Sequence, residues 1–225
     1  MCSSDLMDLT LKDAAFIAAA YLLGAVPFAF IITKAVAGVD IRTVGSGNVG
    51  ATNVSRVLGR KWAVLVFVLD LLKGFLPVLA ARWAADSVPG AADPAPGVVL
   101  TGLAAICGHN WPLYLGFKGG KGVATSCGVF LALFPVGLAI ALAAWGLSLW
   151  IWRYISVSSI VGATAIFVTA LLLQKTPFGE GKWLTGFAGV AAVLGIIRHH
   201  ANIRRLLNGT EPKVGARPKG PEKTA

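Results

Sequence analysis

Apolar runs long enough to cross a bilayer dominate this chain of 225 residues. A hydrocarbon core of roughly 30 Å takes about 20 consecutive apolar residues in a helix. Such runs extend from Ala14 to Ala37, Trp62 to Trp83, Val98 to Leu115, Val123 to Trp152, Ser156 to Leu173 and Trp183 to Ile197. Only 13% of the residues are charged and the mean hydropathy is +0.74, whereas soluble domains carry about 25% charge. The pattern predicts an all-α integral membrane protein, a helix bundle in lipid.

The fourth run fixes the number of crossings. As one helix it would measure about 45 Å, too long for the bilayer, and Pro135 offers a break because its ring removes a backbone donor. Splitting it there predicts seven transmembrane helices. Cytoplasmic loops collect Lys and Arg, which places Arg42, Arg56, Arg60 and Lys61 inside and the loop bearing Asp86 and Asp93 outside. The N-terminus is then outside and the C-terminus cytoplasmic. Lys118, Lys121, Arg153 and the basic tail with Arg217, Lys219 and Lys223 also fall inside, while Lys175 and Lys182 are the exceptions, falling outside. Trp62, Trp83, Trp111, Trp150, Trp152 and Trp183 lie near span ends, where indole rings favour the headgroup region. Trp111 alone also belongs to a polar motif.

Residues 1–210 read as a single membrane domain and residues 211–225, rich in Pro, Gly and charge, as a disordered basic tail resting on anionic lipid rather than nucleic acid. Met7 is a second candidate start, and no basic n-region marks a cleaved signal peptide. Cys2, Cys107 and Cys127 lack CxxC spacing, and with three histidines and no Cys/His cluster neither a metal site nor a cofactor is expected. Seven spans suffice for a complete monomeric bundle.

Three stretches refuse to be apolar: GSGNVGATNVSRVLGRK (Gly45 to Lys61), GHNWPLYLGFKGGKGVAT (Gly108 to Thr125) and RHHANIRRLLNGTE (Arg198 to Glu211). All three fall at the cytoplasmic face of the seven-span arrangement. Gly45, Gly47 and Gly50 have dinucleotide-loop spacing, but that motif needs a βαβ unit. The stretch from Gly116 is a faulty P-loop, one residue short and with Gly122 where Ser or Thr would bind magnesium. Ser46 lacks the first glycine of a nucleophile elbow, and neither His109 nor His199 starts a His-x4-Asp pair. What remains is anion chemistry. Glycine-rich loops aim backbone N–H groups at phosphate, and a following helix adds its positive end. With Arg56, Lys118, Lys121, Arg205 and His199, the two loops suffice for two phosphate groups. A transporter of phosphorylated metabolites is the alternative, although its binding groups would lie near the midplane between repeated halves, and no repeat is evident.

SGNVGATN and the second and third stretches, in this order, resemble the three cytoplasmic motifs of the bacterial acyl-phosphate:glycerol-3-phosphate acyltransferases, the PlsY family. The similarity runs over nearly the whole chain, including Asp70 to Gly74 in the second span. One departure is local: the third motif commonly carries polar residues, often an acid, between His and Asn, where this chain has His200 and Ala201. The resemblance implies seven spans with an outside N-terminus, and transfer of a fatty acyl group from acyl phosphate to the 1-hydroxyl of sn-glycerol 3-phosphate. The products are lysophosphatidic acid and inorganic phosphate, in the first step of phospholipid synthesis at the bacterial inner membrane. By motif match, Lys121, His199 and Asn202 contact glycerol 3-phosphate, with Ser46 and Arg56 on the polar floor. Gly45, Gly47, Asn48, Thr52, Asn53, Lys118, Gly119, Gly120, Gly122 and Arg205 complete the substrate-binding set.

Because an acyl phosphate already has a good leaving group, direct attack by the glycerol hydroxyl replaces an acyl-enzyme. The base is either His199 or the donor's own phosphate, and the second is favoured if neighbouring anions keep His199 protonated. Asn48, Thr52 and Asn53 suit loop closure equally well. Asp70 and Lys73 suit either a structural pair or a functional one, and His109 suits loop ordering.

Overall fold

The computed structural model describes residues 9–86, 95–174, 176–179 and 181–215. Asp93, Lys175, Arg217, Lys219, Lys223, Met7 and Cys2 lie outside the described residues, as does the side chain of Asp86. The described elements are helical: α1 (Leu11–Gly24), α2 (Phe28–Ala37), α3 (Ala51–Val57), α4 (Arg60–Asp86), α5 (Ala95–Asn110), α6 (Val123–Leu133), α7 (Pro135–Trp152), α8 (Ile155–Leu173), α9 (Lys182–Arg198) and α10 (His200–Leu207), with short 3-10 turns at Ile41–Thr43 and Leu113–Leu115.

Among the described residues five stretches are long and apolar enough to cross a membrane, or six if α9 and α10, bent by 54° at their junction, are counted as one. The long fourth run breaks where its proline predicts, α6 ending at Leu133 and α7 starting at Pro135. With 11 residues, α6 is about 16 Å long, short of a full crossing. A further break divides the first run at Ala25 to Pro27 between α1 and α2, since Pro27 supplies no N–H to a helix.

α1 packs on α5, α4 on α6, α7 on α8 and α8 on α9. Between α4 and α6 the backbones nearly touch: a Cβ at Gly74 would strike the Thr125 carbonyl, and one at Gly128 the Leu71 carbonyl. Such close approach drives helix association in lipid, where burial of apolar surface gives little. Large apolar side chains accordingly face outward, among them Phe67, Leu76, Leu147, Ile151 and Leu172. Three buried hydroxyls donate to the preceding helical turn, Ser158 to Tyr154 O, Ser159 to Ile155 O and Thr169 to Ala165 O.

Two basic side chains of α4 serve the helix breaks. Lys73 Nζ donates to Val26 O at 2.8 Å, beside Pro27, and Arg82 Nη1 donates to Ala132 O at 2.8 Å, beside the Phe134–Pro135 break. Carbonyls that lose helical partners near a proline thus regain donors.

Candidate active site

The first glycine loop is closed by one side chain. Asn53 Oδ1 accepts from the backbone N–H of Ser46 at 2.8 Å, while its Nδ2 donates to Ile41 O at 3.1 Å and Val44 O at 3.0 Å. Gly45 and Gly47, at φ +60 and +69, take the left-handed turns that this clasp requires. Asn53 is 1% exposed and its amide is engaged by the loop backbone, the loop-closing role open to it from the sequence. Ser46, Thr52 and Arg56 are exposed and Asn48 is half-buried, so these remain free to meet a ligand.

The second loop leads from α5 to α6 and sits against the first. A Cβ at Gly120 would meet Val49 O of the first loop and the ring of His109, and Gly120 N–H donates to His109 O at 3.1 Å. Gly122, at φ +78, turns the chain into α6. Lys118 is exposed. The two loops therefore make one floor.

The third motif closes the site from α9 and α10. Arg198 Nε and Nη2 donate to Gly120 O, and Nη2 also donates to Gly119 O at 3.0 Å. The guanidinium lies 5.6 Å over the Trp111 ring, whose backbone carbonyl accepts from Tyr21 Oη at 2.9 Å. Trp111 is thus a platform inside the site, unlike the exposed Trp83 and Trp150. No sequence motif displays this role of Arg198, because its partners are backbone carbonyls.

Lys121 Nζ donates to Asn202 Oδ1. Asn202 Nδ2 donates to Glu211 Oε1 at 2.6 Å, which also accepts from Ser156 Oγ at 2.7 Å, and Glu211 Oε2 accepts from Arg205 Nε at 2.7 Å. The Asn202 amide has one consistent orientation here, since an ammonium only donates and a carboxylate only accepts. Arg205 is paired with Glu211 through Nε. Glu211, expected at the start of a loose tail, is anchored with its side chain 5% exposed, and the chain stays attached as far as Val214, whose N–H donates to Arg153 O at 2.8 Å.

Electrostatics follow from this packing. Burial holds Lys121 well below the usual 10.5, at about 8, and the cations of Arg205, Arg56 and Arg198 add to the shift while Glu211 opposes it. His199, 3% exposed, lies just past the end of α9. Burial and then the Lys121 cation lower it from 6.5 to about 4. Its Nδ1 lies 2.7 Å from Gly195 O and donates there, leaving Nε2 as an acceptor. In the ligand-free chain this environment favours the neutral imidazole. His200, exposed, is turned back toward Ile197 O at 3.0 Å.

From Lys121 and His199 a groove with about 600 Å³ of empty space runs between α6, α7, α8 and α9, along Phe130, Leu142, Trp145, Gly162 and Ile166. One end is cationic and polar, and the rest is apolar.

The model of the Glycerol-3-phosphate acyltransferase family matches residues 14–209. A glycerol-3-phosphate acyltransferase of Geotalea daltonii is 46% identical over 200 residues, 89% of this chain and 96% of that protein. That of Geobacter sulfurreducens is 43% identical over 206 residues, 92% of this chain and 100% of its own. The crystal structure of PlsY (YgiH), an integral membrane glycerol 3-phosphate acyltransferase, superposes in its glycerol 3-phosphate form with a TM-score of 0.81 at 40% identity, covering 90% of this chain and 96% of that one. Its lysophosphatidic acid form gives 0.75 at 39% identity, over 89% and 94%. Two glycine loops, one lysine and an apolar groove are thus arranged in a chain that belongs to the glycerol-3-phosphate acyltransferase family of integral membrane enzymes.

Proposed function

We propose that the chain transfers a fatty acyl group from acyl phosphate to the 1-hydroxyl of sn-glycerol 3-phosphate, by direct attack and with no acyl-enzyme. The observation that carries this reading is the groove: an apolar channel ending at Lys121 and His199 fits a long acyl chain whose reactive head meets cations. The glycine loops hold the acyl-phosphate headgroup, and Lys121, His199 and Asn202, with Ser46 and Arg56, hold glycerol 3-phosphate. Two anions repel each other, and Lys121 and Arg56 offset that repulsion. Positioning of this kind contributes several kcal/mol, and each fixed donor aimed at the developing oxyanion about 3 to 4 more.

In the reaction the glycerol oxygen attacks the acyl carbon, the bond from that carbon to the phosphate oxygen breaks, and inorganic phosphate leaves. The hydroxyl proton passes to His199 Nε2 and from there to the departing phosphate. A neutral imidazole with Nδ1 held by Gly195 O is ready for this role. Bound phosphates supply the negative charge that lifts its basicity toward the working range.

The reading includes seven spans, with α6 as the short fourth, the N-terminus outside, the site at the cytoplasmic face of the inner membrane, and a monomer. Purified enzyme given glycerol 3-phosphate and one of acyl phosphate, acyl-CoA or acyl carrier protein tests the donor. Lysophosphatidic acid is expected from acyl phosphate alone, with one phosphate released per ester formed. Efficient turnover of either thioester would refute the donor assignment.

A further inference from the structure

Beneath the two glycine loops lies an ionic cluster that no step of the reaction uses. Asp70 and Lys73, one turn apart on α4, place Oδ1 and Nζ 2.7 Å apart with side chains 3% and 5% exposed. From α5, His109 brings Nδ1 to 3.6 Å from the same oxygen. Neither Asp70 Oδ1 nor His109 Nδ1 has a hydrogen-bond partner beyond these ionic contacts. A cavity lined by all three residues, by residues 24–29 at the break of the first span, and by Val49 and Pro112 lies beside the cluster.

Each member reaches a different element. Lys73 holds Val26 O at the break of the first span and stands 5.6 Å over the Phe28 ring. His109 holds Gly120, by its carbonyl at 3.1 Å and by a ring so close that a Cβ on Gly120 would strike Nε2. The next residue is Lys121, which meets Asn202. The same Gly120 lies on Val49 O of the first loop. The cluster thus ties α4, α5 and the kinked first span to Gly120, where the second loop meets Val49 of the first.

We propose that Asp70, Lys73 and His109 are positioning residues that set the height of Lys121 against Asn202 and His199. The inference rests on the reading of Lys121 as the cation that holds glycerol 3-phosphate. Buried charges are costly singly and tolerable in pairs, and a neutral replacement of both partners preserves stability more often than loss of one. An alternative in which the pair only staples helices therefore predicts that a neutral pair is fully active. Positioning predicts that it is stable but misplaces the ammonium, and displacements near 1 Å cost up to about 10²-fold.

The test uses full-length enzyme in detergent carrying Asp70→Asn with Lys73→Met, or His109→Gln, read by thermal midpoint and by separate KM values for the two substrates. Folded variants are expected to show KM for glycerol 3-phosphate raised about tenfold or more, with KM for acyl phosphate within about twofold. The selective rise in at least one folded variant upholds the proposal. Parental kinetics in the folded variants, an equal rise for both substrates, or failure of both variants to fold would overturn it. Lys121→Ala assayed alongside separates the two readings: parental activity there removes Lys121 from the site, whereas an inactive Lys121→Ala beside parental cluster variants removes only the cluster.

Discussion

Replacing Glu211 by Gln tests the joint that closes the site. The carboxylate accepts from Ser156 and Asn202 on one oxygen and from Arg205 on the other, at 2.6 to 2.7 Å. Gln can reproduce only one side. If its oxygen faces Ser156 and Asn202, its NH2 meets Arg205 Nε–H, donor against donor. Hydrogen bonds to charged groups contribute about 1.5 to 3 kcal/mol, and a buried donor left unmet costs about 1 to 3 more. Arg205 is 38% exposed, so water takes over part of its loss, and a net cost of about 2 to 4 kcal/mol follows. For a chain of this size that is a fall of roughly 4 to 16 °C in thermal midpoint, measured in detergent at neutral pH. The reverse orientation of Gln forces Asn202 to flip and turn its NH2 on Lys121, so KM for glycerol 3-phosphate should rise as well. A midpoint within about 2 °C of the parent, with unchanged KM, would refute the account of Glu211 as a working part of the site.

The same carboxylate has a sign that can be checked. Burial alone would raise it, but the bonds from Asn202, Ser156 and Arg205 prevail and hold it below the usual 4.5. A depressed carboxyl stabilises the fold above its unfolded value, and that contribution fades as the pH falls through the folded value. The parent's midpoint should thus drop more steeply in acid than that of Glu211→Gln.

Two further outcomes follow. With Lys121 held at about 8, kcat/KM for glycerol 3-phosphate in the free enzyme should fall above that pH. Lys121→Arg, which stays charged, should flatten the fall, and a parent profile level through pH 9.5 would remove the assignment. Gly162→Leu, which fills the groove beside Trp145, should cut kcat/KM for long-chain acyl phosphates more than for short ones; equal losses would place the chain elsewhere.

What the sequence displayed and what it hid divide along a physical line. Spans were legible because apolar runs answer to the bilayer alone, and the break at Pro135 because a missing N–H is a property of one residue. The break at Pro27 was harder, since hydropathy continues across it and the compensating donor, Lys73, lies 47 residues away. Lys121, His199 and Asn202 stood out as polar groups in an apolar chain. Asn53 stood out for the same reason and yet closes a loop, because an amide that clasps backbone and one that clasps phosphate carry the same atoms. Glu211 was hidden by its neighbours: Pro212, Lys213 and Gly215 have the composition of a free tail, while its partner Ser156 lies 55 residues earlier.

These hidden contacts explain why a site this basic is stable before substrate arrives. Arg198 spends its charge on the carbonyls of Gly119 and Gly120, and Arg205 spends its own on Glu211. Burial first, and neighbouring cations after it, hold Lys121 at about 8 and His199 at about 4. The cations that lock the loops are therefore distinct from the cation that awaits a ligand. On the proposed reading, a phosphate entering beside Lys121 supplies negative charge without dismantling the contacts of Arg198 and Arg205. Had Arg198 and Arg205 been free as well, substrate would have had to compete for groups the fold could not spare, and binding would have come at the expense of the geometry on which the transfer depends.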